Sequence, residues 1–309
     1  MLHGLRGRAV DLGYAAGWGA IKYAPSSLSH VAFRGAADLA AHRNGKGTRQ
    51  LRKNLGRIIT PGASEDELDE LVAEGLRSYS RYWLETFRLP RMDPADIAER
   101  VDTQTEGIEN LDGALAKGRG VVLALPHQGN WDVAGVWLVA HSGPFVTVAE
   151  RLKPESLFER FVAYRESLGF EVLALSGGEQ TPMSVLTERM QQNKVACLLA
   201  DRDLSRNGID VTFFGEAARM PAGPALLAAT TGAALLPVSL WFTPDGWAQR
   251  INPPVPIPPV EGTGRLRAQV EQMTQAMADS FARDIAEHPA DWHMLQKFWL
   301  ADLPARRDG

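Results

Sequence analysis

Polar and apolar positions after residue 60 form a long helical stripe, followed by a short apolar run. The sequence Ser64-Glu-Asp-Glu67 has the form of a capping box, and apolar residues then recur every three or four positions as far as Phe87. We predict one long amphipathic helix that ends before Pro90. A short helix over 110–117 follows, and the apolar run 121–125 is too short for a helix, which indicates a buried strand.

Short apolar runs and longer amphipathic segments then alternate along the chain. The predicted helices cover 131–140, 155–168 and 182–192, and the predicted strands cover 145–149, 171–175 and 195–200. Strands separated by helices of ten or more residues are typical of βαβ units, in which the strands are parallel. The sequence therefore predicts an α/β fold with a mostly parallel central sheet and helices on both of its faces.

The stretch 221–244 contains no charged residue and needs to be tested as a membrane span. Proline and glycine residues divide it, so we interpret it as a buried helix over 224–231 and a strand over 235–242. A last helix over 265–287 carries one apolar stripe, and we expect the aromatic tail 292–300 to pack against the body. These segments belong to a protein core.

Charge is distributed unevenly along the 309 residues, although the net charge is only −4. The first 60 residues hold ten Lys and Arg against two Asp, a balance of +8, which leaves −12 on the remainder. A basic end favours an anionic partner, either nucleic acid or anionic lipid, and a solvated basic face is the simpler alternative. Because the basic segment lacks a recognised nucleic-acid-binding fold, we expect no nucleic acid partner.

Residues 1–23 combine aromatic side chains such as Trp18 with scattered Arg and Lys. Charges at this density interrupt the roughly 20-residue apolar run that a spanning helix requires, and no signal-peptide cleavage pattern follows. An amphipathic helix at the membrane interface fits this pattern, and a first helix packed on the core fits it equally well. We divide the chain into a basic, membrane-interacting helical extension, 1–60, and one main domain, 61–309.

The single cysteine, Cys197, fits a reducing compartment.

The turn after the predicted strand 121–125 is a candidate site, because ligands of open α/β sheets bind beyond the carboxyl ends of the strands. His127 lies there, and Asp132 follows in the first turn of the next helix. An imidazole that acts as a general base needs one free nitrogen and a carboxylate that orients the other. Asp132 is one candidate for that carboxylate, and Asp201, directly after the strand 195–200, is another. A capping Asp beside a structural histidine is the alternative interpretation.

Five sequence blocks occur in the order found in a known family. The blocks are Pro-His127-Gln-Gly-Asn-Trp-Asp132, Arg165-Glu-Ser-Leu-Gly169, Ala-Asp201-Arg-Asp203 followed by Val211-Thr-Phe-Phe-Gly215, Pro221-Ala-Gly-Pro-Ala-Leu-Leu-Ala228, and Thr231-Gly-Ala-Ala-Leu-Leu-Pro237. Together they resemble the bacterial lipid A biosynthesis acyltransferase family, and in particular its actinobacterial branch, over roughly 110–245 of this chain.

The resemblance implies a peripheral enzyme on the cytoplasmic face of the plasma membrane. Its reaction would move a long acyl chain, typically palmitoyl, from acyl-CoA to the 6-hydroxyl of a mannose on phosphatidylinositol mannoside. The family pattern makes His127 the general base, Asp132 its motif partner and Asp201 a further polar group of the site. The candidates for substrate binding, which include two arginines that could contact phosphates of coenzyme A or of the inositol lipid, are Glu150, Arg165, Arg202 and Arg206.

The chemistry of these residues agrees with transfer of the acyl chain directly from the thioester to the sugar hydroxyl, without an acyl-enzyme. A sugar hydroxyl is a poor nucleophile, so His127 would take its proton during attack on the thioester and return it to the leaving thiolate. Backbone amides near Gly129 and Asn130, or an arginine, are candidates to stabilise the oxyanion. Cys197 lies in a predicted buried strand, which disfavours an acyl-enzyme. No metal-ligand spacing is present, and we expect acyl-CoA as co-substrate with no bound cofactor.

Two other functions remain open at this level. A sibling acyltransferase with another glycolipid acceptor, or with an acyl carrier protein as donor, would keep His127 and Asp132. A carrier protein needs a basic docking patch, and the basic segment 1–60 could supply one. A non-catalytic lipid-binding protein of the membrane is the second alternative. In it, the basic segment would bind the lipid and His127 would be structural.

Overall fold

The computed structural model describes residues 21–59, 62–151, 154–178, 180–203 and 207–303. The first part of the predicted interfacial helix, 1–20, and the predicted substrate-binding Arg206 lie outside these ranges. Among the helices inside them, none is long and apolar enough to cross a bilayer.

Helices and strands alternate through the described chain. Helices α1 to α10 are Ser26–Arg43, Lys46–Leu55, Glu65–Arg88, Pro94–Asp102, Ile108–Leu115, Trp131–Ser142, Glu155–Ser167, Pro182–Gln191, Gly223–Thr231 and Arg265–Glu287. Strands β1 to β9 are Thr105–Glu106, Val121–Leu125, Phe145–Ala149, Phe170–Ala174, Val195–Leu199, Ile209–Phe213, Glu216–Met220, Ala234–Thr243 and Gly246–Ile251. The capping box predicted at the start of α3 is confirmed, because Ser64 Oγ accepts from the Glu67 amide and the Glu67 carboxylate accepts from the Ser64 amide.

Seven of these strands form one sheet in the order β1-β9-β8-β2-β5-β3-β4. The β8–β9 pair is antiparallel, and every other neighbouring pair is parallel. All five residues of β2 are buried, as expected for a central strand that is covered on both faces. The predicted α/β fold with a mostly parallel sheet is therefore confirmed. Strands β6 and β7 form a separate antiparallel hairpin.

Each face of the sheet is covered by its own hydrophobic cluster. Successive residues of a strand point to opposite faces, so they belong to different clusters. Val122 and Ala124 of β2 belong to the cluster that contains the apolar stripe of α10, while Leu123 and Leu125 belong to the cluster that contains α6. The predicted stripe of α10 is buried from Val270 to Ile285, whereas Leu266, predicted as its first member, is 42% exposed in the first turn of the helix. In the described part of the chain, the sheet is thus held between helical layers.

Helices α1 and α2 fall within the segment predicted as an extension. Leu51 and Leu55 of α2 are fully buried, and the side-chain amide of Asn54 donates to the Met294 and Gln296 carbonyls at 2.7 and 2.9 Å. One face of α2 therefore packs on the same body as the tail. The division of the chain at residue 60 stays a prediction.

The tail after α10 packs into the molecule, as its aromatic residues predict. Trp292 and Trp299 are fully buried. The Asp291 carbonyl accepts from the Gly129 amide at 2.9 Å, and the His293 amide donates to the His127 carbonyl at 2.7 Å. The tail therefore supports the turn that follows β2.

Gly129 is the one residue of this turn whose backbone requires glycine. Its φ is +57°, and a Cβ placed there would lie 2.8 Å from the carbonyl carbon and oxygen of Leu240. A side chain would meet neighbouring backbone as well as an unfavourable conformation.

We expect Gly129→Ala to lower the free energy of unfolding by at least about 2 kcal/mol, from left-handed strain together with the steric overlap. Gly113→Ala is the matched control, because a Cβ there meets open space in the described structure. That change in α5 is expected to raise the same free energy by about 0.5–1 kcal/mol. Urea denaturation of both variants measures the difference. Equal effects at the two positions would contradict the described turn.

Candidate active site

His127 lies just beyond the end of β2, at the carboxyl edge of the sheet. Its imidazole Nδ1 donates to Asp201 Oδ1 at 2.5 Å, and its backbone amide donates to Asp201 Oδ2 at 2.9 Å. Asp201 follows β5, the parallel neighbour of β2, so both strands end at the same edge. The topology thus brings together two residues that are 74 positions apart.

The Asp201 carboxylate is completely buried. Burial acts to raise its pKa, but the positive charge and hydrogen bonds of His127, together with the indole N–H of Trp292, lower the pKa below its usual value. Asp201 is therefore held ionised, and a carboxylate can only accept, which makes His127 Nδ1 the donor. The remaining nitrogen, Nε2, is the one able to exchange a proton with a bound molecule.

Asp132 is also buried, but it contacts other groups. Its carboxylate accepts from Arg165 Nε at 2.8 Å and Nη2 at 3.4 Å, and from the Tyr82 hydroxyl at 3.2 Å. The first turn of α6 directs this side chain towards α3 and α7, whereas Asp201 reaches His127 from the adjacent strand. Of the two carboxylates considered from the sequence, Asp201 makes the contact with His127, and Asp132 fixes Arg165.

The turn between β2 and α6 is held by a buried polar network. Asn130 is the N-cap of α6 and accepts from the Val133 amide at 3.1 Å, while its Nδ2 donates to Glu85 of α3 at 2.7 Å. The Gly129 amide donates to the Asp291 carbonyl. This amide is therefore engaged, and the Asn130 amide and an arginine are the predicted oxyanion donors that this contact leaves open.

A cavity of ≈590 Å³ lies beside His127. It extends past the ends of β5 and β3 to the edge strand β4, and α7 and α8 supply much of its wall. The lining is mainly apolar and includes Val148, Phe158, Val172, Met183, Leu186 and Leu199. A mainly apolar cavity with a few polar groups on its wall is typical of a site for a small organic ligand.

Three of the four residues predicted to bind substrate lie on the wall of this cavity, namely Glu150, Arg165 and Arg202. Arg202 Nη2 donates to Glu150 at 2.7 Å, so these two charges compensate each other. Arg151, another arginine near the same edge, is engaged with Glu155. Whether the three wall residues bind a substrate stays a prediction.

The sequence did not single out the residues of the tail that reach the site. Trp292 donates its indole N–H to Asp201 Oδ2 at 3.1 Å. His293 is buried, and its Nε2 lies 2.8 Å from Ser78 Oγ. Burial, with a smaller contribution from the charge of His127, lowers the pKa of His293 to about 3, so this ring is neutral at ordinary pH. The aromatic pattern of 292–300 indicated a packed tail and gave no sign of these contacts.

A cysteine nucleophile and a bound metal ion are two chemical alternatives to a histidine base. Burial raises the pKa of the Cys197 thiol to about 12, which leaves it protonated and a poor nucleophile. Within the described ranges, no group of three or more His, Cys, Asp or Glu side chains is placed to hold a metal ion. The expectation of a reaction without a bound metal or cofactor stays a prediction.

Comparison with known proteins gives consistent matches. The profile of the bacterial lipid A biosynthesis acyltransferase family covers residues 6–301. A phosphatidylinositol mannoside acyltransferase of Mycolicibacterium smegmatis is 54% identical over 303 residues, which are 98% of this chain and 95% of that protein. A protein of the same name from Mycobacterium tuberculosis is 53% identical over 97% of this chain and 91% of its own length.

These matches cover the whole described fold, including the turn with His127 and the tail that supports it. They agree with the geometry, in which an imidazole and a carboxylate lie beside an apolar cavity. The chain belongs to the bacterial lipid A biosynthesis acyltransferase family.

Proposed function

We propose that this protein is a membrane-associated O-acyltransferase that moves a palmitoyl chain from acyl-CoA to the 6-hydroxyl of a mannose of phosphatidylinositol mannoside. The observation that carries this proposal is the His127–Asp201 pair beside a long apolar cavity. The acceptor is suggested by the names of the two mycobacterial relatives, which match this chain over nearly its full length.

His127 would act as the general base. Asp201 holds Nδ1, so Nε2 takes the proton of the mannose hydroxyl while the hydroxyl oxygen forms a bond to the thioester carbonyl carbon. The carbon–sulfur bond then breaks, and the leaving thiolate takes the proton from the imidazolium. Asp201 stabilises that imidazolium and stays ionised throughout. The products are the acylated mannose and free coenzyme A.

Arg165 is the best-placed donor for the oxyanion that forms on the carbonyl. Its Nε and Nη2 are held by the buried Asp132, and the residue also lines the cavity. A guanidinium fixed on one side by a carboxylate is preorganised, so it loses little freedom when its remaining N–H groups meet a developing charge. Asp132 would thus act on the reaction through Arg165.

The cavity would hold the acyl chain. It runs from His127 at the end of β2 to Val172 on β4, three strands away, a separation of roughly 14 Å at the usual strand spacing. The thioester would lie near His127, and the methyl end of the chain near β4. Polar groups at the opening, including the Glu150–Arg202 pair, would face the sugar or the coenzyme.

The direct test is transfer of radiolabelled palmitoyl from palmitoyl-CoA to purified phosphatidylinositol mannoside. We expect the wild type to form product, and His127→Ala to lower kcat by roughly 100-fold or more, because the group that takes the hydroxyl proton is removed. Asp201→Asn should also be strongly impaired, since the amide no longer stabilises the imidazolium.

His141→Ala is the matched control for this test. His141 also pairs with a carboxylate, that of Asp112 at 2.8 Å, but it lies away from the cavity, so full activity is expected. The same assay with an acyl carrier protein as donor distinguishes this reaction from that of a sibling acyltransferase. A His127→Ala variant with undiminished transfer would contradict the proposed base, whereas a wild type that transfers no acyl group from either donor would favour a lipid-binding role.

Chain-length selection tests the acyl cavity. We expect Val172→Phe to shorten it, so that the ratio of kcat/KM for palmitoyl-CoA to that for octanoyl-CoA falls at least about 10-fold. Leu173→Phe on the same strand is the control, because Leu173 does not line the cavity. Equal changes in the two variants would show that the acyl chain lies elsewhere.

Helix α1 and the residues just before it expose apolar side chains that are candidates for membrane contact. Leu28 and Val31, one helical turn apart, are 62% and 70% exposed, and Tyr23 is 69% exposed. Arg34 lies on the exposed side of the same helix. Exposed apolar side chains beside basic ones are typical of an interfacial helix, and we propose that this surface holds the enzyme on the anionic cytoplasmic face of the plasma membrane.

The charge available for this contact is smaller than the sequence suggests. Arg52 pairs with Glu65 and Asp69, and Lys53 and Arg57 pair with the buried Asp302. These three basic residues hold α2 and the turn that follows it to the rest of the protein. Apolar contact should therefore contribute a large share of membrane binding.

Sedimentation with vesicles of phosphatidylglycerol and phosphatidylethanolamine measures this contribution. We expect the double variant Leu28→Asp, Val31→Asp to bind at least about 10-fold more weakly, because two exposed apolar side chains no longer enter the bilayer. Ile257→Asp, a change at an exposed apolar residue of the loop between β9 and α10, should bind like the wild type. Unchanged binding of the double variant would place the membrane surface elsewhere.

A further inference from the structure

Three consecutive residues of the tail contact the site. Asp291 accepts from the Gly129 amide through its carbonyl, and His293 donates its amide to the His127 carbonyl. Between them, Trp292 donates its indole N–H to Asp201 Oδ2 at 3.1 Å. The two backbone contacts fix the turn, and the indole contact reaches the carboxylate that holds the imidazole.

The indole of Trp292 has little freedom to leave this position. The residue is fully buried, and its ring lies 5.4 Å from that of Phe298 and 5.9 Å from that of Trp299, both in edge-to-face contacts. Its backbone also forms an antiparallel bridge with Gln128. A side chain locked by packing in this way presents its N–H at a fixed point.

Asp201 depends on a small number of donors. Its Oδ1 accepts from the imidazole of His127, and its Oδ2 accepts from the His127 amide and from Trp292. Because the carboxylate is completely buried, water cannot replace a donor that is removed. Without the indole N–H, Oδ2 would be held by the backbone amide alone, and the carboxylate could rotate out of line with the imidazole.

We propose that Trp292 is a positioning residue for acyl transfer, which acts through Asp201 by holding Oδ2 so that Oδ1 stays aligned with the imidazole of His127. This role rests on the proposed function of His127 as the base. Trp292 itself touches neither substrate nor the reacting atoms.

Trp299 is a matched control for this role. It is fully buried in the same aromatic cluster, and its indole N–H donates to the Phe213 carbonyl at 3.2 Å instead of to Asp201. Trp292→Phe and Trp299→Phe each remove one buried indole N–H and a similar volume. Only the first change removes a donor from the carboxylate that holds the base.

The first experiment compares steady-state kinetics of the two variants with palmitoyl-CoA and phosphatidylinositol mannoside. We expect Trp292→Phe to lower kcat by roughly 10-fold to 100-fold at unchanged KM, by analogy with the loss seen when a partner that orients a metal ligand is removed. Trp299→Phe should keep kcat within about twofold. In an Asp201→Asn background, Trp292→Phe should cause no further loss, because its effect passes through Asp201.

The second experiment needs no substrate. In protein labelled with ¹⁵N-histidine, the Nδ1 proton of His127, identified by its absence in His127→Ala, reports the hydrogen bond to Asp201. We expect this resonance to move upfield and to exchange faster with water in Trp292→Phe, and to stay in place in Trp299→Phe. If the wild type transferred no acyl group, the proposed function would fail, and this comparison would still decide the positioning role.

The positioning role is overturned if the two variants lose the same kcat, or if the His127 resonance is unchanged in Trp292→Phe. Should Trp292→Phe not fold, a benzothienylalanine residue at position 292 keeps the bicyclic shape and replaces N–H by sulfur. That substitution is expected to reproduce the loss of kcat with unchanged KM, and full activity in it would equally overturn the role.

Discussion

The assembly of the site depends on one charged carboxylate, that of Asp201, which has no contact with water. Asp201 is completely buried, and a charge in that position is tolerated only where donors surround it. The donors come from two distant parts of the chain, the turn that holds His127 and the tail that holds Trp292. The ends of β2 and β5 and the tail must therefore be assembled together before this charge is stable.

The second buried carboxylate, Asp132, is stabilised by a different set of groups. It lies in the first turn of α6, where the helix dipole favours a negative charge, and it pairs with Arg165. The motif residues thus separate into two charge pairs. One pair holds an imidazole and the other holds a guanidinium beside the same cavity, and these are the two groups that the proposed acyl transfer uses.

Most of the central fold could be predicted from local patterns. Strand β2 was predicted over the observed 121–125, because a short apolar run between glycines has few alternatives. The hairpin of β6 and β7 and the antiparallel β9 were not predicted. Their residues mix polar and apolar side chains, and they become strands through pairing with neighbours that local periodicity does not reveal.

For the site, the sequence by itself determined that His127 lies at the carboxyl edge of a parallel sheet, with charged residues following the neighbouring strands. The sequence left two carboxylates open as partners of the imidazole, however, since Asp132 is near it along the chain and Asp201 follows another strand. Only the tertiary structure decided between them, because strand order places β5 beside β2 and the helical turn directs Asp132 away. Trp292 lies 91 residues from Asp201, and contacts over that distance are set by packing, which sequence spacing does not encode.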